Sequence, residues 1–401
     1  MKKNIFVFVI SAFIVIWGMV CTPFWTGVKY NTVMFVKNCL SSGFFTALQT
    51  YADSMEKATT DNLSYHSTFM DINSVYMSAV NTRIVEKSDS IVIKSKNGYL
   101  LNLKYYVNDT SLENRVQKLN EVYNCAKENG AEFLYVMAPS KGYTIACPQN
   151  IADFTKDNCD RFSAFMKDAG VPYLNLIDSM SEQGITEEEM FFATDHHWRP
   201  QYGMWASEQI CNRLSSDYGF EYDKKYNDIS NYKVTTLKDW FLGSQGKKVG
   251  RYFSPHGCDD IDVILPDFET SMTEEQPAKD QKRVGSFEDT VMYMENIETK
   301  DHYGLNPYAA YSGGDFREQI ITNKLNTDGK KIMLIRDSFS CAMAPFLSLN
   351  TSKLYVVDVR DSAFYVGEKI RVSEYIQRIK PDYVVVMYNG VNFGDDLFDF
   401  E

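Results

Sequence analysis

Two spacings of apolar residues alternate along the chain and outline its elements. The stretch "SLENRVQKLNEVYNCAKENG" carries apolar positions at helical intervals, which predicts a helix with Ser111 as its cap and Gly130 as its terminator. "AEFLYVMAPSK" is a short apolar run closed by Pro139 and predicts a buried strand. Just upstream, "VIKSKNGYLLNLKYY" alternates around Asn97-Gly98, the dipeptide of a tight hairpin. A helix near 158–169 precedes "VPYLNLID", a second short strand. Towards the C-terminus "KKIMLI", "KLYVVDVRD" and "YVVVMYNG" predict strands, separated by the helical stretches "SCAMAPFLSL" and "EKIRVSEYIQRIKPD". Strands alternating with helices imply crossover units and an α/β fold with a central parallel sheet.

Two regions depart from this rhythm. Residues 221–325 hold broken β-like runs such as "IDVILP" and the acidic stretch "TSMTEEQPAKDQK", and predict a β-rich insertion. At the N-terminus Lys2 and Lys3 precede an uncharged run from Asn4 to Val28, long enough to cross a bilayer at about 20 residues. Two lysines ahead of the span favour their retention in the cytoplasm and export of the rest. The expected organisation is therefore a membrane anchor over 1–28, a stalk over 29–90, and a catalytic domain over 91–401. A cleaved signal peptide is the competing reading of the first segment, although no small-x-small cleavage pattern follows the run.

Composition narrows the function classes. With 401 residues, 44% of them hydrophobic, the chain can bury a large core. Its formal charge of −12, with no strongly basic stripe, argues against nucleic acid as a partner. The eight cysteines form no CxxC and no zinc-like grouping with histidine, so no metal or other cofactor is expected. Cys147 and Cys159 could pair, but buried thiols suit most of the eight better.

The candidate chemistry lies in two short stretches. "IMLIRDSFSCAMAPF" places Ser338 at the C-terminal edge of a buried strand, where ligands bind in such folds and where a following helix exposes free N–H groups. Ser338 or Asp337 serving only as a helix cap is the plainer alternative. A serine nucleophile needs a base, usually a histidine held by a carboxylate. Only five histidines are present, and "FFATDHHWRP" holds two of them behind an aspartate. In an extended segment residues i and i+2 face the same way. Asp195 and His197 then point together, with His196 on the other side. Asp-His-His could also ligate a metal, but no second histidine cluster accompanies it.

The combination of "TDHHW", "IRDSFS", "VVDVRD" and "VVVMYNG", in that order, resembles the DHHW proteins. That family is similar to the alginate O-acetyltransferases, membrane-linked relatives of the SGNH hydrolases. The resemblance implies an SGNH-hydrolase-like three-layer α/β/α fold, with Ser338 as nucleophile, His197 as general base and Asp195 as its orienting carboxylate. It further implies an oxyanion hole made by the Ser338 N–H and the Asn389 side chain, although Asn389-Gly390 also reads as a plain turn. The usual serine motif is GDS, and Arg336 stands here in place of the glycine. Arg360, Lys141, Tyr143 and Tyr388 lie at strand ends and are candidate substrate contacts, with simple pairing to Asp361 the alternative for Arg360, and "YSGG" at Tyr311–Gly314 is a candidate site loop. The expected activity is transfer of acetyl groups to exported polysaccharide through an acyl-serine. An esterase with the same triad and a non-catalytic polysaccharide-binding protein are the alternatives. A membrane-bound O-acyltransferase is the acetyl donor that the resemblance implies.

Overall fold

The computed structural model describes residues 66–148, 151–360 and 367–401. The expected anchor over 1–28 and most of the expected stalk lie outside the described residues. Among those described, no helix is long and apolar enough to cross a membrane. The chain divides into Met1–Met77 and Ser78–Glu401. The boundary thus falls earlier than the expected stalk end at residue 90. In the first unit the described residues belong to helix α1 (His66–Ala79), which leaves Phe69, Ile72, Val75 and Tyr76 exposed.

The second unit opens with β1 (Ile84–Lys87), β2 (Ser90–Lys94) and β3 (Leu100–Asn102), an antiparallel sheet whose second turn is the Asn97-Gly98 hairpin. Gly98 supplies the positive φ of 87° that this turn requires. Next come α2 (Asp109–Glu128), β4 (Glu132–Ala138), α3 (Thr155–Ala169), β5 (Tyr173–Asn175) and α4 (Pro200–Tyr218). The predicted cap of α2 is three residues off: Asn108 Oδ1 accepts from the Ser111 N–H, and Gly130 follows the helix at a φ of 78°. β6 (Tyr232–Phe241) and β7 (Asp259–Pro266) form a long antiparallel pair. β8 (Met272–Gln276), β9 (Gln281–Gly285), β10 (Glu318–Asn323), β11 (Lys331–Arg336), β12 (Lys353–Val357), α5 (Val372–Ile379) and β13 (Tyr383–Asn389) complete the chain, with shorter helical turns between them.

Among the described residues the main sheet has eight strands in the order β5-β4-β13-β11-β12-β10-β8-β9. The first five run parallel, as the strand–helix alternation predicts, and the last three are antiparallel. Part of the expected insertion over 221–325 is therefore no excursion, because β8, β9 and β10 extend the sheet. Its α/β architecture is thus mixed rather than purely parallel. Strands β11 and β13 are buried on both faces, which explains their unbroken apolar sequences. Ile332 and Leu334 face a core shared with α4, while Met333 and Ile335 face one shared with α2, α3 and α5. Sheet strands β4, β13 and β11 end side by side, at Ala138, Asn389 and Arg336. The loops beyond those ends carry the chemistry.

Candidate active site

Ser338 is the first residue of a short 3-10 turn, Ser338–Ala342, directly after β11. Asp337 caps that turn through Oδ1, which accepts from the Phe339 N–H at 3.1 Å. Its other oxygen accepts from the Asn389 N–H at 2.8 Å and from Asn392 Nδ2 at 3.3 Å, tying the serine loop to the end of β13. Burial raises the Asp337 pKa, and these donors oppose it. At the first helical position the Ser338 N–H has no acceptor within the turn. The turn is too short to add the stabilisation of a helix dipole.

The histidine expected as the base for Ser338 arrives from 141 residues earlier. His197 Nε2 lies 2.8 Å from Ser338 Oγ, and its Nδ1 lies 2.6 Å from Asp195 Oδ1. Asp195 also accepts from the His197 backbone N–H at 2.9 Å and from the Ser244 N–H at 2.5 Å. Burial would raise the Asp195 pKa, but the two imidazoles beside it hold its carboxyl well below the usual range. Residues 193–197 form a bend rather than an extended strand. The pairing of Asp195 with His197 is as expected, but a local turn produces it and not strand alternation. His196 accordingly does not face away: its ring centroid is 3.9 Å from that of His197, and its Nδ1 sits 3.0 Å from Ser244 Oγ.

Much of the surrounding chain is spent on holding this bend. The Asp259 carboxylate accepts from the N–H groups of Ala193 and Thr194 and from the Thr194 hydroxyl, at 2.6–2.8 Å. Gly243 packs so closely that a Cβ there would meet Asp195 Cβ at 2.3 Å and Cα at 2.6 Å. Trp198, fully buried, donates through Nε1 to the Phe339 carbonyl at 3.1 Å, joining the base loop to the nucleophile turn. Tyr308 stacks on the His197 ring, with centroids 4.2 Å apart and planes at 17°, and donates to the same carbonyl. None of Tyr308, Ser244 and Gly243 was singled out from the sequence, and Asp259, whose pairing with Asp260 suggests plain surface charge, is instead buried. All four lie in the region 221–325, whose short, broken runs gave no periodic signal.

The proposed substrate contacts fare differently. Lys141 is buried, and its ammonium donates to the carbonyls of Asp195 at 2.7 Å and Ala193 at 3.0 Å, so it braces the bend from beneath. Desolvation pushes its pKa down to about 7. Tyr143 turns to α3, where its hydroxyl donates to Asp160 at 2.6 Å and accepts from Lys156. Tyr388 is fully buried, with its hydroxyl on the Leu397 carbonyl, and cannot meet a substrate. Arg360 pairs with Asp358 at 2.5 Å and Asp315 at 3.0 Å, while Asp361, the partner weighed from sequence, lies outside the described residues. Asn389 is buried at the end of β13. Its Nδ2 donates to the Pro139 carbonyl at 3.0 Å, which leaves its second amide hydrogen for another acceptor.

Arg336, the departure from GDS, is 1% exposed and points into the loop at Tyr311–Gly314. It donates to the Gly314 carbonyl at 2.9 Å and pairs with Asp315. Burial would raise the Asp315 carboxyl, but Arg336 and Arg360 draw it down to about 2. Ser312, Gly313 and Gly314 have φ values of 56°, 72° and 94°, a run that favours glycine. "YSGG" is thus a left-handed loop fixed to the nucleophile strand by an ion pair.

Asp195, His196 and His197 form a group of three potential metal ligands, their atoms within 4.8 Å of one another. Both ring nitrogens of His197 and both oxygens of Asp195 are already engaged within the protein. A metal ion bound through them would have to break the chain of hydrogen bonds to Ser338.

Residues 92–232 match a family model described as the SGNH hydrolase-like domain of the acetyltransferase AlgX. No curated protein matches the chain in sequence. Among solved structures, that of Bacillus cereus PatB1 with a sulfonyl adduct is similar, at a TM-score of 0.64 and 20% identity, covering 80% of this chain and 99% of that one. The crystal structure of a DHHW family protein from Eubacterium siraeum is similar at a TM-score of 0.58 and 17% identity, covering 78% and 95%. At such identities the likeness bears on the fold. The fold is SGNH-like α/β with a mixed sheet; the resemblance to AlgX-type proteins is one of sequence over residues 92–232, and that to a DHHW protein is one of fold.

Proposed function

We propose that this chain is a serine-dependent O-acetyltransferase acting on exported or cell-surface polysaccharide. The observation that carries the proposal is the unbroken chain from Asp195 through His197 to Ser338, at 2.6 and 2.8 Å. Such a chain makes a serine nucleophilic at neutral pH. His197 Nε2 takes the Ser338 proton as Oγ attacks the carbonyl of an acetyl ester, and Asp195 stabilises the imidazolium. The Ser338 N–H and the second hydrogen of Asn389 Nδ2 hold the oxyanion. Collapse of the tetrahedral intermediate expels the donor alcohol, which takes the proton from His197 and leaves acetyl-serine. A sugar hydroxyl then gives its proton to His197 and attacks, regenerating Ser338.

The match to an AlgX-type domain supports acetyl as the group and polysaccharide as the acceptor. The lysine-flanked run over residues 4–28 supports a membrane-anchored, extracytoplasmic enzyme, and the acetyl donor that the motif resemblance implies is a membrane-bound O-acyltransferase. The test is the mass of Ser338-bearing peptides after incubation with an activated acetyl ester, with and without candidate glycans. Acetyl-Ser338 that discharges faster with glycan supports transfer. Discharge at the same rate, into water alone, makes the chain an esterase, and no adduct in a well-folded protein ends the acyl-serine reading. A sulfonyl fluoride should modify the same serine, since such a reagent is trapped by an activated hydroxyl.

A further inference from the structure

Lys141 belongs to the loop that leaves β4, and that loop touches both halves of the site. At its start the Pro139 carbonyl accepts from Asn389 Nδ2 at 3.0 Å, and Ser140 Oγ donates to Asn389 Oδ1 at 3.1 Å. Further on, the Glu187 carboxylate accepts from the N–H groups of Gly142, Thr144 and Ile145. Glu187 opens the short helix Glu187–Met190, which leads into the bend that carries Asp195 and His197. The backbone on either side of Lys141 is therefore anchored without its side chain.

The side chain holds something else. A lysine ammonium has three hydrogens to donate, and here each has an acceptor. Two acceptors are the carbonyls of Asp195 at 2.7 Å and Ala193 at 3.0 Å, and the third is Gln245 Oε1 at 3.4 Å. None of the three carries a formal charge, and a charge buried on such terms costs the fold what an apolar side chain would not. The two carbonyls differ in their other attachments. That of Ala193 also accepts from the Leu100 N–H at 2.8 Å, whereas that of Asp195 has Lys141 as its sole donor among the described residues. Asp259, on the same bend, holds the N–H groups of Ala193 and Thr194, not that of Asp195. Two carbonyl oxygens drawn to one cation repel each other once it is gone, and the peptide then free to turn is that of Asp195.

We propose that Lys141 is a positioning residue of the acyl-transfer site: its ammonium fixes the Asp195 peptide and, through the Asp195 carboxylate, the aim of His197 at Ser338. The loop that presents it also holds the Asn389 amide, so one segment sets the base and the oxyanion donor in a common frame. The role deepens the acyl-transfer reading and rests on it for the reaction. A base displaced by about 1 Å costs on the order of 10²-fold in rate and leaves substrate binding nearly unaffected.

The full chain carrying Lys141→Met or Lys141→Gln tests this role, with Lys94→Met as the control. Lys94 is an equally buried lysine, and its ammonium donates to the Phe253 carbonyl at 3.1 Å instead of to the base loop. With an activated acetyl ester, kcat should fall about 10- to 100-fold in both Lys141 variants, with KM within about twofold of the unmodified value. Lys94→Met should melt lower and keep its kcat. A second readout needs no turnover. The proton between His197 Nδ1 and Asp195 gives a far-downfield NMR resonance, which should weaken or move upfield in both Lys141 variants. Either variant decides if the other does not fold. An unchanged kcat, a raised KM at full kcat, a loss matched by Lys94→Met, an unmoved resonance, or failure of both variants to fold would each overturn the role. Acetylation of Ser338 in the unmodified protein is measured alongside. Its absence sinks the acyl-transfer reading and leaves the resonance to judge Lys141, whereas acetyl-Ser338 with an unmoved resonance sinks Lys141 alone.

Discussion

His196 and His197 are neighbours with unequal attachments. His197 bridges Asp195 and Ser338, whereas His196 Nδ1 contacts Ser244 Oγ and lies 3.7 Å from Asp195 Oδ1. Replacing Ser338 or His197 with Ala should lower the rate of acetyl-ester turnover by about 10⁴-fold or more, with the melting temperature little changed. His196→Ala should retain most of the rate. If the two histidine variants exchange these behaviours, the assignment of the base is wrong. Asn389 is a harder case, because its side chain also braces Pro139 and Ser140. Asn389→Ala should therefore cost both stability and about 10²–10³ in kcat, with KM nearly unchanged. Melting beside steady-state kinetics separates the two losses, and a full kcat would remove Asn389 from the oxyanion hole. At this scale the triad was legible, because a rare residue type sits inside short motifs. Tyr388 and Lys141 were not, since a position at a strand end does not say whether a side chain points to substrate or into the core.

Between elements, close packing and ion pairs fix the relation of the base loop to the nucleophile turn. Gly203 of α4 lies against that turn, where an added Cβ would meet the Ala342 carbonyl oxygen at 2.4 Å. Gly203→Ala should cost about 1–3 kcal/mol by overpacking and should reduce activity by displacing the turn that carries Ser338. Unchanged melting and kinetics would show that the helix shifts without consequence. The ion pairs under the nucleophile make a prediction in pH. Asp315 is drawn from an unfolded value of 3.8 to about 2 in the folded protein. Its stabilisation is thus present above about 4 and lost as the pH falls towards 2. Asp315→Asn should melt below the unmodified protein at neutral pH, and melting curves of the two should converge across that acid window. A constant gap would exclude the ion pair as its source. These contacts explain what sequence periodicity missed. The hairpin, the parallel strands and their helices follow local rules, whereas Asp315, Gly243 and Asp259 act on partners at least 21 residues away.

For the whole molecule the first question is attachment. The full chain should sediment with membranes and resist release by high salt, yielding only to detergent, if residues 4–28 span the bilayer. Release by salt, or a mature N-terminus near residue 24–30, would remove the anchor. The second concerns time rather than place. β13 is synthesised after both β4 and β11, yet it lies between them in the sheet. At about 5–20 residues per second, the ribosome needs tens of seconds to travel from Ala138 to Tyr383. Throughout that interval β4 presents an apolar edge with unpaired backbone groups, the kind that seeds aggregation, and β11 presents another from Arg336 onward. The C-terminal strand is thus a closing zip, and shielding of those edges until it arrives sets the yield of folded protein. A chain stopped after Pro381 should leave two half-sheets, one with the strand before Lys141 and the other with Ser338, and should collect in the insoluble fraction.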